Sequence, residues 1–391
     1  MIDTIVLSLT PDTYQISEPD KFKPSAHALL AQNKEAPAFA KASAGRRLHY
    51  SSITSKQNTT KKELLNGIYK PHLTLAYHRG VHGAVELLLK VELSLPKLLY
   101  GNNFNELQYK DFKTITNKLA ATLATMGVIV TPQVFAHAPV LAIHYSKNIP
   151  LTDGSTPYHY INKIKEANVR LSLDTNQTDY RNEGHSYKWH CNSYEVVFYD
   201  KIKDLEKAKQ SSKRAIEKDN ELQQHLFKTF QKRRKLEFLR MEVRLNKRAK
   251  IKQLFKTLNI AADLTFKKLF KPAIAKKVLL HYLDQLERNR SPLLNFKAVD
   301  DKTFLAQISF DNPTITPKQA MMILGFKRAL EAAPLRELKT IIGKNKPQSW
   351  HRLINDLKGI TLPTMHNPFK EIRKCIEEFK VIKFNQLKVL K

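Results

Sequence analysis

Residues 2–9, IDTIVLSL, alternate apolar and polar positions with the period of two expected of a half-buried strand. Between His72 and Leu95 two apolar stretches flank His78-Arg79-Gly80-Val81-His82-Gly83, a pattern that predicts a β-hairpin. His72, His78 and His82 straddle its turn, so they read as a solvated hairpin rather than as a metal cluster. Further strands are predicted at Val128–Val134, Val140–Tyr145 and Phe238–Leu245, with Tyr187–Trp189 pairing Tyr194–Asp200 across the polar stretch around Asn192. Helical spacing marks residues 109–126 and 158–171, and a long charged helix is expected from Lys201 to Lys235. From about Ala249 onward the chain reads as helical, broken at Ser291-Pro292 and around Asp311–Pro317. The Ala-rich stretch 33–47 has no core pattern and reads as a loop or insertion, and no solenoid period is present.

These elements predict an α+β fold, with a central antiparallel sheet carrying the active site and a mostly helical C-terminal domain. The expected division is a catalytic domain over 1–255 and a helical, DNA-binding or simply packing, domain over 256–391. In the latter, the break at Gly343–Pro347 sets SWHRLINDLKG apart, and a helix-turn-helix-like arrangement would turn Trp350, His351 and Arg352 toward DNA.

Charge narrows the partners. The chain has 391 residues with 66 Lys and Arg against 36 Asp and Glu, a net +30, yet it is 42% hydrophobic. A folded chain this basic has an acidic partner, of which nucleic acid is the commonest. Residues 201–256 alone hold 19 basic and 7 acidic side chains. No run of about 18 apolar residues is present, so no transmembrane helix is expected and no membrane is among the expected partners, while a membrane surface or ribosomal RNA stays open as the acidic partner. Asp3 sits where a signal peptide would carry Lys or Arg, and only Cys191 and Cys375 occur, which together predict a cytoplasmic setting without a zinc cluster.

Three strand segments share a feature. In VELSL, Glu92 and Ser94 oppose Val91, Leu93 and Leu95. In RMEVR, Arg240, Glu242 and Arg244 oppose Met241, Val243 and Leu245. In VVFYDK, Val197, Tyr199 and Lys201 oppose Val196, Phe198 and Asp200. On one sheet, these polar faces would gather two carboxylates, a tyrosine and several cations. Carboxylates suit Mg²⁺ or Mn²⁺, a tyrosine hydroxyl can attack phosphorus, and Lys or Arg neutralises the charge that develops on phosphoryl oxygens. Each residue also has a plain structural reading. Glu92 could pair with a Lys or Arg across the sheet and Glu242 with Arg240 or Arg244, Tyr199 could be a core tyrosine, and Lys201 and Arg240 could be surface cations.

The segments MIDTIVLSL, KVELSLPKLLYGNNFNEL, YEVVFYDKIKDLE and FLRMEVRLNKR, in this order and over roughly the first 260 residues, resemble the gene II replication initiators of filamentous phages. More remotely the chain resembles rolling-circle plasmid initiators that use a single tyrosine. The resemblance implies Tyr199 as nucleophile, in a strand ending Tyr-x-Lys, with Tyr194 and Tyr187 as rivals. It implies Glu92 and Glu242 as metal-binding carboxylates. The third ligand in such proteins is usually an Asp, and VLAIHYSKN offers His144 there, an imidazole better suited to Mn²⁺ than to Mg²⁺. A paired His-x-His motif of the other nickase class is absent.

The expected function is therefore site-specific nicking and religation of one strand at a rolling-circle replication origin, with Tyr199, Lys201 and Arg240 catalytic and Glu92, His144 and Glu242 on the metal. Single- and double-stranded origin DNA and the host helicase and polymerase are the expected partners, and a homodimer stays open. The rivals are a non-catalytic basic origin- or RNA-binding protein, and a conjugative relaxase or transposase of similar chemistry.

Overall fold

The computed structural model describes residues 1–24, 54–60, 63, 68–79, 85–151, 156–164, 177–181, 185–204, 237–261, 263–288, 301–333, 335–343, 347–358, 360 and 368–384. The insertion at 33–47 and, of the charged stretch 201–235, everything beyond residue 204 lie outside them.

Twelve strands are described: β1 (Ile2–Leu9), β2 (Gln15–Ile16), β3 (Lys23–Pro24), β4 (Thr54–Gln57), β5 (His72–Arg79), β6 (Val85–Ser94), β7 (Val128–Ile129), β8 (Val140–Leu151), β9 (Gln177–Arg181), β10 (Ser186–His190), β11 (Tyr194–Asp200) and β12 (Glu237–Leu245). Ten form one sheet in the order β3-β4-β5-β6-β1-β8-β12-β11-β10-β9, and every pairing in it is antiparallel. The protein is thus α+β, as its pattern predicts, with β1, β8 and β12 at the centre. Two expectations shift. The stretch predicted as a strand over Val128–Val134 is split, because Pro132 starts the helix Pro132–His137 after two residues of β7. Lys201 does not continue β11. The Asp200 carboxylate accepts the backbone N–H groups of Ile202 and Lys203, capping a helical turn over 201–204.

One sheet face is apolar. Ile5, Leu7, Val91, Leu93, Ile143, Tyr145, Phe198, Met241 and Val243 are all buried in the main core. Helices cover this face. In Pro272–Arg288 the residues Ile274, Ala275, Val278, Leu279, Tyr282, Leu283 and Leu286 are buried, the three-and-four spacing of a core-facing stripe. Phe369, Ile372 and Ile376 of Pro368–Glu378 join the same core. The sheet domain therefore does not stop at residue 255; its core takes in residues up to 286 and again 369–376.

A separate cluster of Phe304, Ile308, Ile323, Phe326, Leu338, Trp350 and Leu357 lies among the helices Asp301–Asp311, Pro317–Ala332, Leu335–Gly343 and Pro347–Lys358. Here Trp350 is a core residue, packed on Phe326 at 5.8 Å between ring centroids. Its expected exposure to DNA is corrected: a large indole on the inner stripe of an amphipathic helix buries its apolar body. His351 and Arg352 are exposed.

Candidate functional site

The opposite sheet face is polar, and the strand registers fix which residues share it. Glu242 lies opposite Ser146 and Val197, Arg240 opposite Asn148 and Tyr199, and Arg244 opposite His144 and Glu195. His144 lies opposite Thr4, which faces Ser94. Directly opposed residues point to the same side of an antiparallel sheet, so Glu92, His144, Tyr199, Arg240 and Glu242 all share one face.

On that face Tyr199 and Glu242 meet. The Tyr199 hydroxyl donates to Glu242 Oε2 at 3.1 Å, and Arg244 Nε donates to Oε1 at 3.0 Å. A second Arg244 nitrogen reaches Glu195 Oε2 at 3.1 Å. His144 completes the group, with Nδ1 3.7 Å from Glu242 Oε1 and Nε2 3.2 Å from Asn246 Oδ1. Buried carboxylates resist ionisation, yet Arg244, Arg240 and His144 outweigh that cost and hold Glu242 down at about 2. Burial lowers the His144 value, leaving a neutral imidazole at pH 7, and holds the Tyr199 phenol well above its ordinary 10, with Arg240 opposing.

Arg240 is anchored on four sides. One terminal nitrogen pairs with Asp3 Oδ1 and donates to Ser146 Oγ at 2.8 Å; the other donates to Asn103 O at 2.6 Å and reaches Asn148 Oδ1 at 3.4 Å. Asp3 reaches this face through a bulge. Ile2 pairs with Tyr145 and Thr4 with His144, so Asp3 is the extra residue between them. Lys201 is fully buried, its ammonium 5.5 Å from the Tyr199 ring centroid. The rivals Tyr187 and Tyr194 are on the apolar side, buried against Trp189 and Tyr282 respectively.

Glu92 does not join the group, which corrects the expectation of a shared metal centre. β1 and β8 stand between its strand and that of Glu242, three strand spacings or about 14 Å. It is level with Val6 and Ala142, whereas Glu242 is level with Ser146, four residues or about 13 Å further along β8. Arg244 also holds the Glu242 oxygen that faces His144. Glu92, His144 and Glu242 thus do not fit one ion in this arrangement, and among the described residues no three His, Cys, Asp or Glu side chains are grouped to hold a metal.

Asp3 and Glu195 are site residues that pattern alone passed over. Arg244 was visible only as a neighbour of Glu242, and the turn of Asp3 onto this face depends on the bulge. No family model, no curated protein and no solved structure matches the chain. Among the described residues no helix is long and apolar enough to cross a membrane.

Proposed function

We propose that the chain is a tyrosine DNA nickase, cutting and rejoining one strand at a replication origin. The observation that carries this reading is the hydrogen bond from Tyr199 to Glu242 with two arginines alongside. The Tyr199 oxygen bonds to phosphorus as its proton passes to Glu242. The P–O3′ bond breaks, the departing 3′ oxygen takes a proton from water, and the 5′ phosphate stays on the tyrosine. Reversal by the 3′ hydroxyl rejoins the strand.

A carboxylate held at about 2 is a weak base toward a phenol held above 10. The incoming phosphate supplies the remedy, since it competes for Arg244, which is about one-third exposed. Freed of its partner, Glu242 becomes more basic, and Arg240 and Arg244 face the charge growing on the phosphoryl oxygens. Mg²⁺ or Mn²⁺, which the resemblance to the phage initiators implies, finds no fitting set of ligands among the described residues.

Duplex DNA has a surface to meet. Residues 246–277 hold ten Lys or Arg and a single acidic residue, Asp263. Lys247, Lys252, Lys256, Lys267, Lys268, Lys271 and Lys277 are exposed, on or beside the helices that cover the apolar face, so this surface lies on the other side of the sheet from Tyr199. Opposed to the nickase reading, the satisfied pairs Asp3–Arg240 and Glu242–Arg244–Glu195 also suit a purely binding protein that uses them as sheet cement. Incubation with a supercoiled plasmid carrying the cognate origin, with and without Mg²⁺ or Mn²⁺, separates the two: the nickase yields nicked circles and the binding protein none.

A further inference from the structure

Buried Glu106 and the mostly half-buried segment 379–384 form a second network beside the site, and it ends on Arg240. The helix Leu95–Tyr100 closes with Gly101 at φ +71°, a left-handed turn that glycine adopts without strain, and starts the loop 102–107. Asn102 Oδ1 accepts the backbone N–H groups of Phe104 and Asn105 and fixes that loop. Asn103 O then receives Arg240 at 2.6 Å, while Phe104 O accepts the Asn148 amide, whose oxygen faces Arg240.

Glu106 ties this loop down. Its Oε1 accepts Asn148 N–H at 2.7 Å, and Oε2 accepts the buried Lys147 ammonium at 2.6 Å and Ile382 N–H at 3.0 Å. In return Glu106 N–H donates to Ile382 O at 3.0 Å, Phe384 N–H to Asn105 Oδ1 at 2.8 Å, and Lys147 to Lys380 O at 2.7 Å. Phe384 packs edge-on against Phe104, which does the same to Phe238, two residues from Arg240. The chain enters this segment through Phe379 at φ +48°, an unusual conformation for a bulky side chain and one that its surroundings must hold in place. The Lys147 ammonium lies 5.7 Å from its ring centroid.

We propose that Glu106 is a positioning residue and that residues 380–384 are a strap which, through loop 102–106, sets the guanidinium of Arg240 against Tyr199. Nothing about Glu106 requires it to touch DNA. The proposal gives the C-terminal segment a part in the chemistry of a site more than a hundred residues earlier in the chain. It rests on the nickase reading for its kinetic consequence only, because the placement of Arg240 is measurable without DNA.

The test uses the full chain with Glu106→Gln and, because that change leaves Lys147 without its carboxylate, Ile382→Pro, which removes one N–H from the strap and leaves the buried pair intact. Folding of each is checked by thermal melting. The first readout is the nitrogen NMR spectrum of the Arg240 side chain. Four anchors slow its rotation, so separate terminal-nitrogen signals are expected in the wild type and broadened or merged signals in both variants. The second is single-turnover nicking, expected to fall about tenfold in either variant with DNA affinity changed less than twofold. Arg240 signals unchanged in a folded variant overturn the strap. Altered signals with no nicking by the wild type leave the strap standing and remove the nickase reading instead.

Discussion

Tyr199 and Glu242 are diagonal neighbours on adjacent central strands, and the phenol hydroxyl donates to the carboxylate at 3.1 Å. The directly opposed partner of Tyr199 is Arg240, and that of Glu242 on β11 is Val197, whose small side chain leaves the diagonal open. A phenol hydroxyl, the carboxylate that accepts its hydrogen bond and a guanidinium therefore share one small area of a sheet face.

Arg244 is expected to be structural as well as functional. Arg244→Met leaves the Glu242 charge buried beside fewer cations, which costs about 3 kcal/mol. Glu195→Gln removes only a partly exposed partner and is expected to cost under about 1 kcal/mol. Urea unfolding of the two variants measures the difference, and equal losses would mean that Arg244 does not hold Glu242.

Stability is expected to fall in two stages as acid is added. His144 has a folded value below its ordinary 6.5, so the unfolded chain takes the proton first and stability drops as pH falls below about 6.5. Glu106 and Glu242 have lowered folded values, so their stabilisation is complete above about 4.5 and is lost as pH falls through them, to about 2 for Glu242. Denaturant titrations across pH measure both, a tenfold difference in proton affinity between the folded and unfolded chain being worth about 1.4 kcal/mol. His144→Gln is expected to shrink the upper stage without erasing it, because burial also lowers His281 and the Met1 amine, the latter to about 5.

Glu92 and Glu242 are expected to behave differently despite sharing a face. Glu242→Gln deprives Tyr199 of its acceptor, and nicking should fall by about 10²–10⁴. Glu92→Gln, about 19 Å away by the strand spacings, should change it less than about threefold. Matched losses in the two variants, measured with Mg²⁺ or Mn²⁺ present, would bring Glu92 back to the reacting phosphate.

Much of this was legible from the chain. The bounds of β1 and β11 follow directly from alternation in IDTIVLSL and YEVVFYD, and the same alternation places Arg240, Glu242 and Tyr199 on one face. Parity gives a face but not a distance. VELSL and RMEVR carry equal signals for Glu92 and Glu242, and only the strand order, which puts β1 and β8 between them, separates the two. Asp3 was hidden for another reason: the bulge shows only as two successive polar residues, Asp3 and Thr4, between Ile2 and Ile5, which does not say which of them is the extra one. Trp350 misled because an aromatic beside His351 and Arg352 suits a DNA-facing helix and a packed one equally well.

Duplex binding is expected to depend on the lysines of 247–277. Changing Lys252, Lys256, Lys267 and Lys268 to Glu should weaken binding and flatten its salt dependence, by about 0.9 in the log–log slope for each phosphate that is no longer neutralised. Fluorescence anisotropy across a series of salt concentrations reads the slope. An unchanged slope places the duplex elsewhere on the protein.

The most direct measurement follows the covalent link itself. Origin DNA labelled with ³²P at the scissile phosphate is incubated with wild type and with Tyr199→Phe, which removes one hydroxyl and one hydrogen bond to Glu242. Folding and DNA binding of the variant are verified first. The wild type is expected to carry label through a denaturing gel, and the adduct to yield phosphotyrosine at residue 199 on proteolysis. The Phe variant is expected to carry none. Label of equal strength on Tyr199→Phe, or none on a wild type that binds the origin, contradicts Tyr199 as the nucleophile.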